Sequence, residues 1–113
     1  MSDYVEVINE IKRVNIRLNN AIIELNRLAK EKAQAEKNYT LSMFKNTIEL
    51  KEAGTSITLV PLLAKGKSAD ELYLRDLYAD QFTAVRDSIS ALQTQATMLQ
   101  SILKIQKEIE WQG

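Results

Sequence analysis

Gly66, Lys67 and Ser68 stand in a row just before a helical run, which is how a phosphate-binding loop ends. The complete motif needs an earlier glycine five positions back. It also needs a strand before the loop, so that successive backbone N–H groups can wrap the phosphates. Here Pro61 occupies the place of that glycine, and no strand-like alternation precedes it. The spacing instead predicts that Gly66, in the left-handed conformation, ends one helix and that Ser68 caps the next. A weaker anion site survives that reading. A helix start offers unpaired N–H groups and a partial positive charge, and Lys65, Lys67 and Arg75 lie beside this one. These three are candidate ligand contacts, with Tyr73 and Tyr39 as candidate stacking groups. Solvated lysines and core-packing aromatics are the plainer reading of the same residues.

The rest of the composition narrows the chemistry. There is no Cys and no His, which excludes thiolate catalysis, imidazole acid–base work, disulfides and the usual zinc sites. Asp76 and Asp80 are one helical turn apart but lack a third ligand, so no metal and no cofactor is expected, and no enzyme. Lys plus Arg equals Asp plus Glu at 15 each, which weighs against binding nucleic acid by neutralising its phosphates. The early acids of the first ten residues do not read as a secretory leader, and nothing approaches about 20 apolar residues in a row. A cytoplasmic protein with no membrane contact is the expectation.

Those residues must be positioned by helices. The only glycines are Gly54, Gly66 and Gly113, and the only proline is Pro61. Rich in Leu, Ile, Ala, Glu, Lys and Gln, the two uninterrupted stretches predict a long helix over 3–53 and another over 68–112. Asp3 with Glu6, and Ser68 with Glu71, have capping-box spacing at the two starts. Gly54 is the expected stop of the first helix. Between them, 54–67 forms an elbow with a short helix, capped by Thr58 and tolerating Pro61 in its first turn. The fold class is therefore all-α, a single domain built as a long antiparallel helical hairpin.

Apolar residues spaced by alternating threes and fours give a coiled-coil seam. In the first helix it runs Ile8, Ile11, Asn15, Leu18, Ile22, Leu25 and Ala29; in the second, Val85, Ile89, Leu92, Ala96, Leu99, Leu103 and Gln106. Folding the chain at the elbow sets Leu18 against Leu103, Ile22 against Leu99, Tyr39 against Phe82 and Met43 against Tyr78. The two polar seam residues, Asn15 and Gln106, then meet as a register-fixing pair. In this register Glu36 falls opposite Val85 and finds a partner in Arg86. A second set of apolar residues lies beside the seam, including Val7, Val14 and Leu28 on one helix and Met98, Ile102, Ile105 and Ile109 on the other. The run Ser88 to Leu103 carries no charge. A helix flank left to water normally carries charges, so this second set predicts packing of hairpins into a homo-oligomeric bundle.

The stretches "AEKNY", "GTSITL", "LAKG", "LYLRD" and "EIEW" run in this order from Ala35 to Trp111. Their pattern resembles a group of small helical proteins carried by phages and prophages of Gram-positive bacteria, often among early or replication-region genes. The matching positions are Glu36, Tyr39, Gly54, Thr58, Ala64, Lys65, Gly66, Leu74, Arg75 and Trp111. The neutral run in the second helix departs from the more charged one common in that group. The resemblance implies viral origin and names no chemistry. With no catalytic constellation, the expected function is binding, foremost counter-defence by sequestering a host protein or a small signalling nucleotide. A replication or recombination accessory contacting single-stranded DNA, and a structural helix bundle, are the alternatives.

Overall fold

The computed structural model describes residues 2–112, and side chains within 3–110. Three helices follow one another: α1 (Ser2–Glu52), α2 (Val60–Lys67) and α3 (Ala69–Gln112). No strand occurs among the described residues. The Trp111 side chain, part of the sequence resemblance, lies outside the described ones.

α1 stops where the sequence says it should. Gly54 takes φ +79°, the Gly54 N–H bonds the Lys51 carbonyl at 3.1 Å, and the Thr55 N–H bonds the Leu50 carbonyl at 3.1 Å. This is the double bond of a Schellman stop, which satisfies two carbonyls the helix end would otherwise orphan. The elbow differs in two respects from expectation. Leu59, with no side-chain cap bond, precedes α2, while the Thr58 hydroxyl lies 3.1 Å from that of Ser56. Gly66 is not left-handed: it lies inside α2, and Gly54 alone has positive φ among the described residues. No chain reversal is needed at Gly66, because α2 passes into α3 through Ser68. The Ser68 N–H still bonds the carbonyls of Ala64 and Lys65 at 3.0 and 3.2 Å, and its own carbonyl accepts from Leu72 at 3.0 Å.

The chain divides into two compact units, one holding the chain up to Leu25 and from Ala84 onward, the other Asn26–Thr83. In the second unit α1 and α3 run antiparallel. Lys32 lies over the Phe82 ring, Arg75 over the Tyr39 ring, and Ser42 bonds Ser68. The expected register is therefore off by one heptad, since Phe82 meets Lys32 where Tyr39 was predicted. The cause is α2. Its Val60 and Ala64 bury against Leu50, with Met43 packed on the cluster, so the last turns of α1 are spent on α2. α3 accordingly begins opposite Ser42 instead of Ala53.

In the first unit Val14 and Leu92 are buried. Leu92 belongs to the predicted α3 seam, and its other members are partly buried as well. In the α1 seam Ile8, Ile11, Leu18 and Leu25 are partly buried as predicted, but at every other position the buried residue falls one place earlier. Val14, Leu28 and Ala35 are buried and Val7 half-buried, whereas Asn15, Ile22 and Ala29 are exposed. Two adjacent stripes compete on α1. The one through Ile8 would also bury Asn15 and Glu36; the one through Val7 carries only apolar residues as far as Ala35. Desolvating an amide and a carboxylate decides between them. Val7, Val14 and Leu28 thus belong to the intramolecular core and not to an outer surface. Asn15 and Gln106 do not pair: Gln106 shares a groove with Asp3, Tyr4 and Ile109, and its buried Oε1 has no hydrogen-bond partner.

Candidate functional site

Of the five candidate contacts, the second unit brings two together. Arg75 projects from the second turn of α3, and Tyr39 from α1. The guanidinium carbon lies 4.5 Å from the Tyr39 ring centroid, within the distance at which a cation is drawn to an aromatic face. Arg75 Nε and Nη2 both donate to Asp76 Oδ1, at 3.2 and 3.1 Å. One heptad earlier on α1 the roles reverse, with Lys32 Nζ 5.6 Å from the Phe82 ring centroid and 3.2 Å from Glu36 Oε1. Each contact joins α1 to α3 through a cation over a ring, with a carboxylate as the cation's second partner.

An open cleft of about 660 Å³ adjoins the Tyr39–Arg75 pair. Met43 and Ala79 give it apolar wall, and the exposed Glu36, Thr40 and Asp76 supply polar atoms. The sign of its charge matters: one guanidinium faces two carboxylates. A phosphate gains little there, because the cation nearest to it is already neutralised. A smaller cavity of about 160 Å³, lined by Ala35, Asn38, Leu74 and Tyr78, also carries two carboxylates, Glu31 and Glu71.

The remaining candidates lie elsewhere. Lys65 and Lys67 are exposed in the last turn of α2, where positive charge complements the helix's carbonyl end. The start of α3 beside them carries Asp70 and Glu71 in its first turn, so its N–H dipole already faces acidic side chains. Tyr73 is 66% exposed and, two residues from Arg75, points away from the cleft side of α3. Glu36 pairs with Lys32 and not with Arg86, which instead lies 3.7 Å from Asp87. Asp76 serves Arg75, and no group of three or more metal-ligating side chains occurs among the described residues.

A second surface belongs to the first unit. Met98 is 60% exposed, Ile105 56% and Ile109 63%, with Ile102 beside them. With Ala84 and Ala91 they form an exposed apolar stripe on α3 beside the buried seam. Three hydroxyls in this charge-free run bond the helix's own carbonyls. Thr94 donates to the Ser90 carbonyl at 3.1 Å, Thr97 to Gln93 at 3.0 Å and Ser101 to Thr97 at 3.1 Å. No described helix is long and apolar enough to cross a membrane.

No protein-family model matches the chain, and neither a curated protein nor a solved structure matches it.

Proposed function

We propose that this protein acts by binding and without turnover. On this reading it is a phage accessory protein, working in the cytoplasm of the infected host, that assembles with copies of itself and sequesters a host protein or a small signalling nucleotide. The observation that carries the proposal is the outer stripe of α3. Apolar side chains at 98, 102, 105 and 109 repeat at the spacing of a helix–helix seam. Between Ser88 and Leu103 there is no charge to desolvate, and three of the hydroxyls already bond the helix's own carbonyls. Such a face loses little when water leaves it and gains from apolar contact. A second copy of the chain offers the same self-complementary stripe, as a two-fold interface requires.

Native mass spectrometry of the full chain, purified from a phage-infected host with active defences, tests both parts. A closed oligomer retaining a stoichiometric small mass or a host polypeptide is the expected result. A monomer with nothing retained would overturn the proposal. The stripe equally favours a structural reading, in which the same contacts repeat without closing; sedimentation that grows open-ended with concentration would select it.

A further inference from the structure

We infer that the Tyr39–Arg75 cleft is a nucleobase site, selective for a purine bearing an exocyclic amino group. The base would stack on the face of the Arg75 guanidinium that is turned away from Tyr39. This deepens the sequestration reading and rests on its nucleotide form. A guanidinium is flat, and its face is a stacking platform for a base when its plane is held still. Arg75 is held twice. The Tyr39 ring centroid lies 4.5 Å from its guanidinium carbon, and Asp76 Oδ1 accepts from both Nε and Nη2, which fixes one edge. The side chain remains 41% exposed, so it keeps a surface open to a ligand.

The charges select the part of a nucleotide that fits. Both cations near the cleft already face carboxylates, Arg75 with Asp76 and Lys32 with Glu36, so a phosphate gains little there, but carboxylate oxygens accept hydrogen bonds from the amino groups of adenine or guanine. Glu36 Oε1 is 3.2 Å from Lys32 and Asp76 Oδ1 accepts from Arg75, which leaves the second oxygen of each for a ligand amino group. Met43 and Ala79 supply apolar contact for the ring. The cleft, at about 660 Å³, falls within the range of about 300–1,000 Å³ that small-molecule sites occupy.

The test is titration of the isotope-labelled full chain, followed by NMR, with guanosine, adenosine, uridine and inorganic phosphate. A purine nucleoside is expected to move the Tyr39 ring and Arg75 Nε signals. Its affinity should exceed that of uridine by about fivefold or more, and phosphate should not displace it. Because no phosphate is read, binding should change by less than about twofold between low and moderate salt, unlike a phosphate-driven site. Arg75→Lys keeps the charge but removes the plane, and should weaken purine binding about tenfold, as loss of one stacked base does. Ala79→Leu fills the cleft while keeping the Arg75 and Tyr39 side chains, and gives the same loss should the Arg75 variant fold poorly. Absence of nucleoside shifts, equal binding of uridine, or displacement by phosphate would each overturn the inference. Assembly of the chain and capture of a host protein would survive that failure, so the two readings fall separately.

Discussion

Ser42 and Ser68, 26 positions apart in sequence, are joined by a hydrogen bond of 2.8 Å between their hydroxyls. Asn46 Nδ2 donates to both, at 3.2 Å to Ser42 and 3.0 Å to Ser68. Ser68 is fully buried at the point where α2 passes into α3. This contact holds the start of α3 opposite Ser42, further back along α1 than Ala53, where a simple fold at the elbow would place it. Arg75 thereby falls over Tyr39, and the cleft owes its residues to that register.

Replacing Ser68 by Ala should therefore do more than remove a bond. Ser42 and Asn46 would keep their polar atoms in a part-buried place without their best partner, at a cost of about 1–3 kcal/mol. Urea unfolding followed by circular dichroism reads this directly. A Ser42→Ala, Ser68→Ala double-mutant cycle should show coupling of about 1 kcal/mol, because the residues touch. Additive effects would mean that the register is held by Val60 and Ala64 alone.

The two internal glycines should respond with opposite sign. Gly54 has φ +79°, so Gly54→Ala forces an L side chain into the left-handed region and should destabilise by about 1–2 kcal/mol. Gly66 lies inside α2, and a Cβ there meets nothing within 4 Å. Gly66→Ala should stabilise by about 0.5–1 kcal/mol, since it removes backbone freedom from the unfolded chain. Thermal midpoints of the two variants, measured side by side, check the assignment; a loss at Gly66 would mean that the elbow reverses there after all.

Burial separates the two competing stripes of α1 by experiment as well. Leu28 is 1% exposed and Ile22 41%. Leu28→Ala should cost about 2–5 kcal/mol through lost transfer energy and a residual cavity. Ile22→Ala should cost less than about 1 kcal/mol. Equal losses in denaturant unfolding would restore Ile22 to the core and overturn the observed shift of the seam at that position.

How much of this was legible in the sequence depends on the distance over which each feature is decided. The end of α1 and the start of α2 follow from local chemistry: Gly54 needs only its neighbours to make a left-handed stop, and Pro61 only its place in a first turn. The α3 seam through Leu92 was equally plain, because the stripe beside it offers only Ala84 and Ala91 before Met98. On α1 two stripes run side by side, and the choice turned on the cost of burying Asn15 and Glu36. Register was least legible, since it rests on Leu50 meeting Val60 and Ala64, a contact that spacing alone does not reveal. The candidate site inherited that limit. Tyr39 and Arg75 were each singled out as chemistry-bearing, but Asp76 and Glu36 entered the cleft only once the heptad shift was fixed. Lys65 and Lys67 lie in the last turn of α2, outside the cleft, and Asp70 and Glu71 stand at the start of α3 beside them.

The outer stripe of α3 yields the prediction with the widest reach. Ile102→Glu and Ile105→Glu place charge at two exposed positions where it does not disturb the intramolecular seam. In an isolated chain such changes should be near neutral for stability, as surface substitutions usually are. If the stripe meets a second copy, each buries an unpaired carboxylate in an apolar contact, and the assembly should dissociate while helix content per chain persists. Thermal stability of the parent protein should then rise with protein concentration, and that dependence should vanish in the double variant. Analytical ultracentrifugation over a hundredfold concentration range distinguishes the outcomes. An unchanged subunit count would remove the stripe as the interface, and with it the observation on which assembly rests. Dissociation with helices intact would assign the one long charge-free face of this chain to self-association.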